Sequence, residues 1–227
     1  RGNIITPLRD RISSQIVTHY PTTREQGIAI TAQESWVERD GGVAVVIPAF
    51  IRELVEEVAI QARKSEYVDQ NSGVSARLPI ALIENLVSNA ERRGLATGEN
   101  KVWARVCDLQ QAVSAVSGKV ELVLEGEQEG AMNVARALLG RGVKSLFAQR
   151  FPDAYTPKRA RTKPGASAPP AEGEELATSE YRPILEWFAS GNHVAISDEM
   201  PQGEYAKALS TVKGLERLAA KHLEPAT

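Results

Sequence analysis

The chain has 227 residues, of which 42% are hydrophobic, 25% are charged and 5% are aromatic, and its formal net charge is -2. This balance is typical of a globular protein with one large or two modest domains, and it excludes a global field that attracts nucleic acid or an acidic membrane. No apolar run approaches the roughly eighteen residues of a membrane helix, and no leader-like segment opens the sequence, so we expect a cytoplasmic protein. The single cysteine, Cys107, cannot form an intrachain disulfide and indicates a reducing compartment.

Residues 1–24 contain one segment that is typical of a β-strand. Ser14 to Tyr20 alternates apolar and polar side chains, is rich in β-branched residues and ends at Pro21. A lone strand cannot satisfy its backbone hydrogen bonds, so we expect its partner strands to lie in sequence outside this chain or in another chain.

Residues 25–152 show the apolar spacing of a helical domain. The first predicted helix spans about residues 24–37, the second starts at Pro48, the third follows Ser75 as N-cap and stops near Gly94, and two more end near Gly118 and before Pro152. The predicted inward side chains of the last three helices are Ile80, Ile83, Leu86, Val87 and Ala90; Val106, Leu109, Val113 and Val116; and Met132, Ala135, Leu138, Leu139, Val143 and Phe147. The second helix presents Ile51, Leu54, Val55, Val58, Ala59 and Ala62 on one face.

Residues 153–178 change composition, and almost no large apolar side chain is present. Such a segment buries too little apolar surface to offset the entropy of ordering, so we predict a flexible linker. Four basic residues lie near its start: Lys158, Arg159, Arg161 and Lys163. They are candidates for contact with nucleic acid, but no aromatic residue is interleaved to stack a base, which favours a solvated linker. Residues 179–227 predict a small module of short helices.

The common catalytic signatures are missing from the sequence. The run from Gly140 to Ser145 is similar to the tail of a phosphate-binding loop, but Val143 separates the second glycine from Lys144 and a helix precedes the run, so we reject that interpretation. The three histidines are His19, His193 and His222. They have no carboxylate or cysteine at ligand spacing, so we predict no metal site among them.

One distinctive run, Ile5-Thr6-Pro7-Leu8-Arg9-Asp10-Arg11-Ile12, directly precedes the predicted strand. It resembles the segment before the last core strand in AAA+ ATPases of the magnesium-chelatase and MoxR-like group. The resemblance implies that Arg11 is the arginine finger, which acts in trans on the γ-phosphate of a neighbouring subunit, with Arg9 as the rival candidate. Such a guanidinium is worth about 10³ to 10⁵ in rate. The alternative is that Arg9 and Arg11 are surface residues that pair with Asp10 and have no catalytic role.

A second run, Ser72-Gly73-Val74-Ser75-Ala76-Arg77, opens the third predicted helix. In the same families a small-small-arginine run at this place carries sensor 2, whose arginine contacts the terminal phosphates of the nucleotide in its own subunit. The resemblance implies this role for Arg77. A cation in the first turn of a helix opposes the macrodipole at a cost of about 0.3–1 kcal/mol, and a bound anion removes that conflict. The alternative is an exposed arginine that tolerates the cost.

The resemblance covers about residues 1–118 and implies a mainly α fold. The expected parts are the end of an α/β ATPase core in residues 1–24, a helical AAA+ lid with an appended helix in residues 25–152, the linker, and a small C-terminal helical module. It further implies that the intact protein binds ATP and Mg²⁺, assembles into a homo-oligomeric, hexameric ring and acts on a partner, such as a protein with a von Willebrand A domain.

The P-loop, the Mg²⁺ ligands and the sensor 1 residue of this group are not in the sequence, and we expect them upstream of Arg1. The chain starts without methionine, so we expect a piece of a longer protein that does not hydrolyse ATP alone. The competing hypothesis is a helical interaction or regulatory module without any nucleotide role, in which Arg11 and Arg77 form salt bridges.

Overall fold

The structure is a computed structural model that describes residues 7, 10–14, 16–40, 42–153, 155–157, 174–176 and 180–223. The described chain is mainly helical. The helices are α1 (Arg24–Glu34), α2 (Ala49–Arg63), α3 (Arg77–Thr97), α4 (Val106–Gln111), α5 (Val113–Ser117), α6 (Leu124–Glu129), α7 (Ala131–Arg150), α8 (Arg182–Ala189), α9 (Gln202–Ser210) and α10 (Leu215–His222). The strands are β1 (Ala44–Val46), β2 (Lys101–Trp103), β3 (Tyr155–Pro157) and β4 (Glu174–Leu176).

Helix α2 lies at the centre of the hydrophobic core, where it packs against α3 and α7. Pro48 is its N-cap, as the sequence predicts, because a fixed proline φ suits a helix start. The predicted apolar face is confirmed, since every one of its side chains is at most 2% exposed: Ile51, Leu54, Val55, Val58, Ala59 and Ala62. The spacing of apolar residues therefore placed this helix and its orientation correctly.

Helix α3 continues past the predicted stop at Gly94 and ends at Thr97, where Gly98 adopts a left-handed φ of 71°. The prediction at Gly94 is wrong because this glycine serves a close approach rather than a helix end. A Cβ there would lie 2.6 Å from Val43 Cγ1 and 3.1 Å from Val102 Cγ1. Gly94 thus lets the strand pair β1–β2 lie against the helix.

Strands β1 and β2 form a parallel pair with Val45 opposite Val102, and α2 and α3 lie between them in the chain. The sequence did not predict this pair. The structure places residues 16–20, part of the predicted strand from Ser14 to Tyr20, in no strand, and the partner strands that the sequence analysis expects outside this chain stay a prediction. Ile16 is 88% and Val17 is 80% exposed, because no partner strand covers them within the described residues.

The predicted helix that ends near Gly118 consists of two short helices, α4 and α5, which meet at Ala112. Buried positions of α5 and α7 include Val113, Val116, Leu138 and Leu139, as predicted. Four predicted inward side chains are instead substantially exposed: Val106 at 38%, Met132 at 46%, Val143 at 39% and Phe147 at 50%. Helix α7 therefore buries a narrower stripe than its apolar residues suggest.

The ends of the predicted linker form β3 and β4, which pair antiparallel, and residues 158–173 lie outside the described residues. Helices α8, α9 and α10 follow. They contact the main body, where the backbone N–H of Gln202 donates to Glu99 Oε1 over 2.9 Å and Arg92 forms a 2.7 Å ion pair with Glu199. No helix in the described part of the chain is long and apolar enough to cross a membrane.

Candidate functional site

The turn that precedes α3 is fixed by the carboxyl group of Asp69. This carboxylate accepts a 2.8 Å hydrogen bond from the backbone N–H of Asn71 and a 3.0 Å bond from the Ser72 hydroxyl. These bonds, the one from Asn71 first, lower the pKa of Asp69 below its ordinary value. The backbone oxygen of Asp69 also accepts from Gly73 N–H over 2.9 Å. The turn is therefore held by an ionised side chain at neutral pH.

Gly73 and Tyr20 meet at the next step of the turn. Gly73 has a φ of +69°, and a Cβ at this position would overlap the Tyr20 hydroxyl oxygen. That oxygen accepts a 2.9 Å hydrogen bond from the backbone N–H of Val74, which is fully buried. The position thus requires glycine for two reasons, the left-handed backbone and the tyrosine above it.

Arg63, at the end of α2, secures the same contact. Its guanidinium lies 4.6 Å from the centre of the Tyr20 ring, and its Nε donates to the backbone oxygen of Val74 over 3.2 Å. Sequence reasoning missed both Tyr20 and Arg63 as parts of this site. The available signal was an aromatic residue directly before Pro21, at the end of a segment whose other apolar residues, Ile16 and Val17, are aliphatic.

Arg77 is the first residue of α3, and the N-cap is Ala76 rather than the predicted Ser75. Ser75 still contributes, since its hydroxyl oxygen accepts from the backbone N–H of Arg77 over 3.3 Å. The Arg77 side chain is exposed and forms no hydrogen bond or ion pair with any described residue, and the first turn of α3 contains no acidic residue. This guanidinium therefore adds uncompensated positive charge to the positive end of a 21-residue helix, which favours an anion there.

Arg11 lies in a turn at residues 10–11 and is exposed. It forms no ion pair with Asp10 or with any other described residue. The rival candidate, Arg9, lies outside the described residues. Neither Arg11 nor Arg77 therefore has an ion-pair partner in the part of the chain that the structure describes.

A cavity of about 340 Å³ adjoins Tyr20 and mixes three cations with one carboxylate. It is lined by Tyr20, Pro21, Thr22, Thr23, Arg24, Glu56, Ile60, Arg63 and Lys64. Within the described residues the buried Nη2 of Arg63 has no hydrogen-bond partner. Burial lowers the pKa of Arg63, whereas burial raises the pKa of Glu56 even though Thr31 donates to it. Arg24 Nε, on another residue of the lining, is likewise buried without a hydrogen-bond partner among the described residues, so the lining arginines carry two unused donors.

A buried ion network joins α3 to the segment after β2 and has a structural role. Asp108 is fully buried and accepts from Arg93, from Asn89 over 2.9 Å and from the backbone N–H of Arg105 over 2.7 Å. Burial, with the charges of Asp108 and Asp198, raises the pKa of Cys107 to about 11. The thiol is therefore protonated at neutral pH and is not a nucleophile.

The remaining candidates from the sequence are the histidines and the basic cluster of residues 158–163. Within the described ranges, no group of three or more His, Cys, Asp or Glu side chains is arranged to hold a metal ion. His222 faces Glu180 at 2.7 Å, and His19 Nδ1 lies 2.7 Å from the backbone oxygen of Tyr20. The basic cluster from Lys158 to Lys163 lies outside the described residues.

Comparison with known proteins finds no matching family model, no matching curated protein and no matching solved structure.

Proposed function

We propose that this chain is the C-terminal part of a AAA+ ATPase of the magnesium-chelatase and MoxR-like group. In this proposal residues 25–152 are the lid, Arg77 is sensor 2 and acts in cis, and Arg11 is the arginine finger and acts in trans. The observation that carries the proposal is the guanidinium of Arg77, which has no partner among the described residues and lies in the first turn of α3, after a turn built by Asp69, Gly73 and Tyr20. The mainly helical fold supports the lid assignment.

The proposed role of Arg77 follows from its place in the structure. A nucleotide bound between the upstream core and the lid would offer its terminal phosphates to the Arg77 guanidinium and to the N-terminus of α3. Tyr20 links the segment that follows Arg11 to the turn before Arg77 through the Val74 hydrogen bond. Loss of the γ-phosphate would release Arg77 and allow the lid to rotate against the core, which converts hydrolysis into motion.

The intact protein would then be a cytoplasmic, homo-oligomeric ring of six subunits that remodels or activates a partner, for which a von Willebrand A domain protein is the proposed class. ATP and Mg²⁺ are its cofactors, and we assign the Mg²⁺ ligands to the region upstream of Arg1. No residue of this chain is assigned to the metal.

The test uses the intact protein with its upstream region, and it separates the two arginines. Arg77→Ala should weaken ATP binding about tenfold or more, because about 1.4 kcal/mol of phosphate contact is lost. Arg11→Ala should leave ATP binding nearly unchanged and lower turnover by about 10³-fold or more. Arg141→Ala, which removes another exposed arginine from α7, is the matched control and should change neither quantity. Equilibrium binding of a fluorescent ATP analogue and steady-state phosphate release measure the two effects.

Results of two kinds would contradict the proposal. One is an initiator codon directly before Arg1, or the absence of G-x-x-x-x-G-K-[ST] in the roughly 100–200 residues upstream. The other concerns the trans assignment: Arg11→Ala subunits mixed with P-loop-mutant subunits should recover activity, and no recovery would overturn the role of Arg11. A helical interaction module without nucleotide would show no ATP binding at all.

A further inference from the structure

An apolar groove of about 570 Å³ runs between helix α7 on one side and helices α4 and α5 on the other. It is lined by Val106, Leu109, Gln110, Val113, Arg136, Leu139, Gly140, Val143, Lys144 and Phe147. We define these residues as the α4–α7 groove. The lining residues lie on α4, α5 and α7, whereas Arg77 is the first residue of α3, so the groove is separate from the site of the proposed ATPase function.

The groove exists because α7 carries more apolar side chains than the core can cover. Leu138 and Leu146 are buried inside, whereas Val143 is 39% and Phe147 is 50% exposed one helical turn apart on the groove side. The opposite wall presents Val106, which is 38% exposed. Large apolar side chains that line one concave surface in this way indicate a site for a partner.

The floor of the groove is open at Gly140. A Cβ at Gly140 would meet no atom within 4 Å, whereas a Cβ at Gly142, on the buried side of α7, would lie 2.7 Å from Val58 Cγ2. The two glycines therefore have different roles. Gly142 lets α7 approach α2, and Gly140 leaves space at the surface between two helical walls.

The charged residues that line the groove indicate the charge of the partner. Its lining contains two cations, Arg136 and Lys144, and no acidic residue. A groove between helices with an apolar floor fits the apolar face of an amphipathic helix, whose anchors recur at i, i+3 or i+4, and i+7. Both cations lie on the α7 wall, and they favour acidic residues beside those anchors and disfavour basic ones.

We infer that the α4–α7 groove binds an acidic amphipathic helix of a partner protein, with apolar side chains inserted between Val106, Val143 and Phe147 and carboxylates against Arg136 and Lys144.

The experiment uses the 227-residue chain and a labelled synthetic peptide. The peptide has about 18 residues, with leucines at i, i+3 or i+4, and i+7 and with glutamates on both flanks. Fluorescence anisotropy should give micromolar binding that weakens as salt is raised, because the flanking ion pairs are screened. A second peptide with lysine in place of every glutamate should bind at least tenfold more weakly. Equal binding of the two peptides, or no binding of the acidic peptide, would overturn the inference.

Gly140→Leu locates the site. The leucine side chain fills the groove, and leucine is a better helix former than glycine, so the fold is kept and circular dichroism should show an unchanged spectrum. The acidic peptide should bind this variant at least tenfold more weakly. Gly203→Leu is the matched control, since Gly203 is an exposed helical glycine with no atom within 4 Å of its Cβ position. It should bind like the wild type.

Other occupants give different results, and each would overturn the inference. If the chain forms a dimer in sedimentation that Gly140→Leu dissociates, then the occupant is a second copy of the chain. If removal of residues 158–173 makes peptide binding at least tenfold tighter, a segment of the chain itself fills the groove. If Gly140→Leu leaves peptide binding unchanged, the peptide binds elsewhere.

Discussion

At the scale of single residues, Gly73 and Gly98 have the same backbone conformation and different surroundings. Both have a left-handed φ, +69° and +71°, but only a Cβ at Gly73 would meet another residue, the Tyr20 hydroxyl. Gly98→Ala should lower the free energy of unfolding by about 1–2 kcal/mol through backbone strain alone. Gly73→Ala should lower it further, because Tyr20 must move and Val74 N–H loses its acceptor.

Urea denaturation of the two variants measures the difference. The double variant Tyr20→Phe/Gly73→Ala should lose less than the sum of the two single losses, since the phenylalanine ring leaves room for the new Cβ. Equal losses for Gly73→Ala and Gly98→Ala would show that the Tyr20 contact contributes nothing to stability.

The buried carboxyl group of Glu56 should make the free energy of unfolding depend on pH. Its side chain is only 2% exposed, and burial raises its pKa above the ordinary 4.5, although Thr31 and Arg63 act in the opposite direction. A raised pKa in the folded state means that stability is fully present below the ordinary pKa and is lost as the pH rises through the folded pKa. Wild type should therefore lose stability relative to Glu56→Gln as the pH rises above the ordinary pKa of 4.5 and through the raised pKa of the folded state. Denaturant titrations at several pH values test this, and parallel profiles of the two proteins would contradict it.

At the scale of elements, the apolar period of α2 was sufficient to predict the helix and its buried face, since its apolar residues form one continuous stripe that packs into the core. The two glycines of α7 were beyond such reasoning, because the period gives no account of how close the neighbouring backbone comes. Only the structure shows Val58 against Gly142 and open space at Gly140.

The two glycines of α7 should consequently respond to alanine with opposite signs. Gly142→Ala should destabilise the protein by about 1–3 kcal/mol, because the new methyl group forces α7 away from α2. Gly140→Ala should stabilise it by about 0.5–1 kcal/mol, because alanine is the better helix former and meets no neighbour. Thermal unfolding followed by circular dichroism measures both changes. A stabilised Gly142→Ala would show that α7 and α2 are not in close contact.

At the scale of the whole molecule, the C-terminal helices dock on the main body through Arg105. Its guanidinium lies 4.0 Å from the centre of the Tyr205 ring, and its Nη2 donates to Gln202 Oε1 over 3.1 Å. Since Arg105 is only 5% exposed, the ring covers a buried cation. A desolvated cation–π contact of this kind contributes about 2 kcal/mol.

Tyr205→Ala should release α9 from the main body. Amide hydrogen exchange in residues 202–210 should become about tenfold faster or more, which corresponds to about 1.4 kcal/mol. Tyr205→Phe keeps the ring over Arg105 and is the control, with exchange close to that of the wild type. Equal exchange rates in all three proteins would show that the stack does not hold the module in place.

The sequence by itself determined the mainly helical fold, most helix positions and the two arginine candidates. Helix periods, proline starts and short motifs are local properties, and they act over a few residues. The tertiary structure decided the parallel pair β1–β2, the contact of Tyr20 with the turn before Arg77, and the exposure of Val143 and Phe147. Each of these features joins residues that are far apart in the chain or depends on which residues cover a surface. The spacing of apolar residues indicates which side chains are buried, but it does not identify the neighbours that bury them.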